Sequence, residues 1–260
     1  MKSFVIFLTL LSSVLCHNGF PPLLDKYCLL NTDLNWYDDT SSSYMAKIFD
    51  SSGKLLCGGT LIHRRYVLTA AQCIDGRTNL FVTLGNGKIL NPNETDRHVN
   101  RTIIHRDYNK TNLANDIGIL VLDREVHFNV DIQPICILLG TYYVGPNAMR
   151  GLYAIGRQET SISRESVDPL FVPLLDHNPR TCSRDSPLSE GQVCAVSRLN
   201  RTCELYTGGP VARKINYYWP WANAQFGIIS SGFSNCNATG LFTDLFNYTQ
   251  WIVDNVVDLS

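Results

Sequence analysis

Between residues 43 and 246 the chain alternates short apolar runs with clusters of Gly, Pro, Asn and Asp. The runs fall at 46–49, 61–68, 80–84, 117–122, 152–155, 170–175, 226–229 and 241–242. Segments of this length, bounded by turn formers, predict an all-β sandwich or barrel. The last stretch breaks the pattern, because Trp251, Ile252 and Val256 recur at helical spacing. That spacing predicts a C-terminal amphipathic helix at about 247–258, packed on the body. At the other end, Met1 and Lys2 precede an apolar run from Phe4 to Leu15. A charged start and a short hydrophobic region are the marks of a secretory signal peptide. A membrane helix needs about 20 apolar residues, so the run predicts secretion and no membrane span. Cleavage after Cys16 is expected, with residues 1–16 as the signal peptide and 17–42 as a short lead that carries Cys28. The lead is too small for a domain, no accessory module is expected, and no internal repeat is visible.

Composition narrows the picture only where it bears on chemistry. At 260 residues, net charge −1 and 45% hydrophobic, the chain has core enough for one large domain or two fused small ones. Loss of Cys16 leaves Cys28, Cys57, Cys73, Cys136, Cys182, Cys194, Cys203 and Cys236, an even set suited to an oxidising compartment. Spacing alone does not choose among their pairings. The absence of any C-x-x-C pair argues against zinc, and no metal, cofactor or nucleic-acid partner is expected. Six N-x-[ST] sequons, at Asn93, Asn100, Asn109, Asn200, Asn237 and Asn247, again point to a secreted glycoprotein. Arg97, His98, Arg101, His105, Arg106 and Lys110 form a basic cluster. It can be read as a polyanion site or as a solvated loop, and the sequons interleaved with it favour a glycosylated loop.

Several motifs occur in order. Cys57-Gly58-Gly59-Thr60-Leu61-Ile62 resembles C-G-G-[ST]-L-I, and Leu68-Thr69-Ala70-Ala71-Gln72-Cys73 resembles L-T-A-A-H-C. Ile104-His105-Arg106-Asp107-Tyr108 is similar to I-x-H-x-x-Y, and Asn115-Asp116-Ile117-Gly118-Ile119-Leu120 to N-D-I-A-L-L. Gln133-Pro134-Ile135-Cys136 follows, and Cys203-Glu204-Leu205-Tyr206-Thr207-Gly208-Gly209-Pro210 resembles C-x-G-D-S-G-G-P. Together they resemble the chymotrypsin and trypsin family of serine peptidases over about residues 43–259. The resemblance implies a double six-stranded β-barrel, with barrels at about 43–138 and 139–246 and the helix after them. It also implies the pairings Cys28–Cys136, Cys57–Cys73, Cys182–Cys194 and Cys203–Cys236, and a structural role for His105.

The same resemblance implies a degenerate triad at Gln72, Asp116 and Thr207. A serine attacks because an imidazole takes its proton and a buried carboxylate orients that imidazole. Gln72 stands in the histidine's place and has essentially no proton affinity near neutral pH. Leu205 occupies an oxyanion-hole position where the family has glycine, so strain or a flipped turn is expected there. Tyr206 replaces the aspartate that pairs with the ammonium freed by activation. No activation sequence is visible, and the nearest candidate, Lys47-Ile48, lies in what reads as the first barrel strand. The specificity-pocket positions are Arg201, Ser230, Gly232 and Gly240. Arg201, at the pocket floor and inside the Asn200 sequon, points to a blocked or reshaped pocket rather than one selective for acidic groups. The resemblance therefore implies a non-catalytic homologue that binds a protease, an inhibitor or a peptide. Two alternatives stand beside it: a hydrolase that uses Thr207, and a glycan- or polyanion-binding protein.

Overall fold

Antiparallel pairing of β1 (Met45–Phe49) with β2 (Leu55–His63) begins the first of two barrels in the computed structural model. The structure describes residues 22–29, 42–85, 91–139, 151–158, 169–176, 179–182, 187–199, 203–217 and 221–256. The signal peptide, Cys16, Asn200 and Arg201 lie outside them. β3 (Tyr66–Thr69), β4 (Phe81–Leu84), β5 (Asp96–Ile104) and β6 (Gly118–Leu122) complete a closed barrel in the order β1-β2-β3-β6-β5-β4. β3 and β6 are buried along their whole length, so their sequences are almost unbroken apolar runs. The run at 61–68 is in fact a hairpin, turning at Arg64 and Arg65 between β2 and β3. Arg65 ties the turn down by donating to the carbonyl of Leu122 at 3.2 Å.

The second barrel comprises β7 (Tyr153–Gln158), β8 (Pro169–Asp176), β9 (Gln192–Ser197), β11 (Pro210–Asn216), β12 (Trp221–Ser231) and β13 (Thr239–Asp244). Pairing of β7 with β8 closes it, and the short β10 (Cys203–Leu205) adds a seventh strand beside β7. β10 and β11 pair with the same edge of β7, β10 along 156–158 and β11 along 153–154. The residues between them, 206–209, must therefore leave the sheet as a loop at the seam of the barrels. Two short helices, α1 (Pro92–Thr95) and α2 (Pro179–Cys182), decorate the connections. The chain ends in a 3-10 turn (Leu245–Tyr248) and α3 (Thr249–Asn255), shorter than the helix expected at 247–258. Asp244 caps the turn by accepting from the Phe246 N–H at 3.1 Å, while Ile252 and Val256 are buried.

The basic cluster is half strand and half loop, since His105, Arg106 and Lys110 lie in the turns that follow β5 (Asp96–Ile104). Arg97, His98 and Arg101 lie on β5, where alternation sends Arg97 inward and leaves His98 and Arg101 exposed. Arg97 donates to the carbonyls of Asn93 and Asp96 at 3.2 and 2.8 Å, and Lys110 pairs with Asp75 at 3.1 Å. His105 packs against the rings of Tyr248 and Trp251 at 5.5 and 5.4 Å, joining α3 to the first barrel. The group is thus dispersed over a strand, an ion pair and an aromatic contact.

Four disulfides join Cys28 to Cys136, Cys57 to Cys73, Cys182 to Cys194 and Cys203 to Cys236. The first holds the lead on the segment that crosses between barrels. That segment also receives the Leu24 N–H at the carbonyl of Ile137 (3.0 Å) and returns the Leu139 N–H to Pro22 (2.7 Å). Replacing Cys28 and Cys136 together by serine should lower the unfolding free energy by about 2–5 kcal/mol, read from denaturant melts. An unchanged midpoint would mean that the lead is held by its hydrogen bonds alone.

Candidate functional site: a triad frame built around a glutamine

Asp116 enters the seam because the residue before it turns the chain. Asn115 sits at φ +55° and anchors both its side-chain ends, donating to the carbonyl of Asp107 (2.9 Å) and accepting from the Tyr248 hydroxyl (2.9 Å). Left-handed backbone of this kind is tolerated by Asn better than by most residues. Asp116 itself has no exposed surface. Its carboxylate accepts the Gln72 backbone N–H at 2.9 Å, the Gln72 Nε2 at 2.6 Å and the Ser230 hydroxyl at 2.6 Å. Its carbonyl accepts the Thr243 hydroxyl at 3.0 Å. Gln72 lies in the 3-10 turn that follows β3, whereas Ser230 and Thr243 come from β12 and β13. The carboxylate thus draws donors from both barrels.

The second Gln72 amide hydrogen points to the carbonyl of Ser230 at 2.8 Å. Both neighbours of Nε2 are pure acceptors, so the network itself assigns the amide's orientation. What remains is Oε1, an acceptor with no useful basicity. The structure brings Gln72, Asp116 and Ser230 together, and it turns the Ser230 hydroxyl onto the carboxylate rather than leaving it only as pocket wall.

Thr207 sits in the loop 206–209. Its carbonyl accepts the Gly58 N–H from β2 at 2.8 Å, and the loop is closed by Gly209 N–H to the carbonyl of Tyr206 at 2.9 Å. Gly208, at φ +81°, lies so close to the first barrel that a β-carbon there would stand 3.0 Å from Cys73 Sγ. The threonine is therefore wedged between the barrels, half-buried. Leu205 takes neither a strained nor a left-handed conformation. It is the last residue of β10, opposite Gly156, with its side chain buried in the second barrel's core. Tyr206 follows with its β-carbon against Gly58, and burial pushes its phenol above the ordinary value. Lys47 is mid-strand in β1, paired with Gly58 on one side and Thr83 on the other, so a cut before Ile48 would break the barrel.

Of the pocket positions, Gly232 and Gly240 meet across β12 and β13. Gly232, at φ +89°, is turned so that a β-carbon would stand 2.8 Å from the Gly240 Cα. Asn93, Asn100, Asn109, Asn237 and Asn247 are exposed, as a glycan acceptor must be. Sequence reasoning missed Thr243, whose partner is 127 residues away, and Phe233, whose ring covers Gly240. Neither residue stands in any of the motifs that carry the resemblance.

Two closed barrels with a buried carboxylate and a nucleophile-type loop at their seam define the architecture of the trypsin-like serine proteases. A family model described as Trypsin matches residues 36–252, and the chain belongs to that family. It is 30% identical over 230 residues to serine protease grass of Drosophila melanogaster, covering 78% of this chain and 60% of that protein. It is 28% identical to vitamin K-dependent protein C of Rattus norvegicus, covering 81% and 48%. Chymotrypsin-2 of Vespa crabro is 26% identical, covering 84% and 97%. The chain thus spans less than two thirds of the first two relatives and nearly all of the third.

Two phenols around Asp116 set an alkaline limit. Burial first, and then the negative charges near them, raise Tyr108 and Tyr248 from 10.0 to about 12. For Tyr108 the charges are Asp116 and Asp75, and for Tyr248 they are Glu190, Asp244 and Asp116. Between pH 10 and pH 12 the folded chain keeps protons that the unfolded chain has lost, so stability falls as pH rises through that window. Below pH 10 the two groups contribute no slope. In urea melts across this range, the variant Tyr108→Phe, Tyr248→Phe should show a clearly shallower decline than the native chain.

Proposed function

We propose that this chain is a secreted, glycosylated trypsin-family protein without peptidase activity, which acts by binding a protein partner in an extracellular proteolytic pathway. That partner is a protease, an inhibitor or a peptide, and the chain serves it as regulator, cofactor or decoy. The observation that carries the reading is Gln72. Its amide makes the hydrogen bonds to Asp116 that an orienting base would make, yet it takes up no proton. In subtilisin, losing the serine or histidine costs about 10⁶ in turnover, or roughly 8 kcal/mol of barrier.

Other residues support the same conclusion. Among the described residues no imidazole is hydrogen-bonded to the Thr207 hydroxyl, and its methyl group restricts the rotamer needed for attack. Tyr206 offers no carboxylate to an activating ammonium, and the candidate cleavage site lies inside a paired strand. Keeping one partner of that ion pair would have left a buried unpaired charge, costing about 3–5 kcal/mol. Secretion is supported by eight cysteines in four bridges and by five exposed sequons. No charge pattern on the described surface favours a polyanion, since the basic residues near β5 are dispersed.

The test is a fluorescent phosphonate probe, which labels only an activated hydroxyl. The native protein should stay unlabelled and should not hydrolyse peptide esters. The double variant Gln72→His, Thr207→Ser should fold, keep its four bridges and remain without turnover, because Tyr206 still leaves the loop without an ordering ion pair. Labelling of the native chain at Thr207 would overturn the proposal.

A further inference from the structure

Gly232 ends the pairing of β12 with a turn at φ +89°, closed by the Ser234 N–H on its carbonyl at 2.8 Å. The turn sends the next side chain, Phe233, into the protein, where only 6% of the residue remains exposed. Its ring edge lies against β13 at Gly240, where a β-carbon would stand 2.7 Å from Cε2. Cys203, Cys236, Leu205 and Phe242 belong to the same buried cluster. The resemblance to the trypsin family assigns Gly232 and Gly240 to the specificity pocket. A glycine is retained at 240, and the space it leaves is taken by the chain's own phenyl ring.

We infer that Phe233 is the specificity-determining residue of this cleft, a built-in occupant that fills the side-chain pocket from within. The consequence is a binding cleft that reads no side chain of an extended peptide at the central position. Removing the ring leaves a phenyl-sized space beside the Gly240 backbone within the second barrel's buried cluster, and an apolar space of that size takes small aromatic hydrocarbons. The inference does not depend on the fate of the triad, because a filled pocket and an absent base are separate properties. Labelling by the phosphonate probe would sink the one and leave the other standing.

The experiment compares the native protein with Phe233→Ala, using indole and phenol as probes in thermal melts and calorimetry. The native chain should show no shift. The variant should show a saturable rise in Tm with each probe, mutual competition between them, and an affinity for indole at least about tenfold above the native value. A folded variant that ignores both probes, or a native chain that binds indole equally well, would overturn the inference. Because the cavity destabilises the variant, the native chain is also tested with peptides that differ only in Gly, Phe or Lys at the central position. Equal affinity within about threefold, or no binding by any of them, is expected. A preference of about tenfold or more for Phe or Lys over Gly, the discrimination that an open pocket provides, overturns it.

Discussion

A carboxylate removed from water has to be supplied with donors by the protein around it, and Asp116 is supplied from three directions. The turn after β3 gives two N–H groups of Gln72, β12 gives the Ser230 hydroxyl, and β13 holds the backbone carbonyl through Thr243. Removing one partner of a buried ionic network costs several kcal/mol. Whatever stands at position 72 must therefore donate a hydrogen bond to Asp116. Glutamine meets that demand and has no imidazole nitrogen to accept a proton. Its side chain donates both amide hydrogens, to Asp116 and to the carbonyl of Ser230, and so ties the first barrel to the second.

The loop that carries Thr207 depends on the same seam. Because β10 and β11 share one edge of β7, the four residues between them are pushed toward the first barrel. Gly58 catches the loop through the carbonyl of Thr207, and Gly208 fits only because it has no side chain. Leu205 is absorbed by extending the strand, so the backbone carries no strain at the altered position. Close packing of this kind transmits small changes, since protein interiors are filled nearly as densely as organic crystals. Phe233 belongs to the same economy of space, as a ring laid where glycine leaves room.

Much of this was legible in the chain itself. Strands buried on both faces, such as β3 and β6, announce themselves as apolar runs because every side chain meets core. The helix shows in the spacing of Ile252 and Val256, and the motifs that carry the resemblance mark Gln72, Asp116 and Thr207 directly. β5 was missed because its outer face carries Arg, His and Asn, and a strand with one wet face and a broken alternation resembles a polar loop. β10 and β11 were missed for a related reason, the first being three residues long and the second carrying Arg213 and Lys214. The first half of the basic cluster reads as loop in sequence and is strand in the structure, where β-alternation sends Arg97 and His98 to opposite faces.

By itself, then, the sequence determined the all-β architecture, the helix at its end and the identity of the altered residues, because these follow from local periodicity and side-chain chemistry. Tertiary structure alone decided how those residues are used. Ser230 meets Asp116 across 114 positions and Gln72 meets the Ser230 carbonyl across 158. The inward turn of Phe233 onto Gly240 depends on how two strands close a barrel. Contacts of that range arise only when the barrels pack, since the periodicity of any one segment carries no record of the partner it will face.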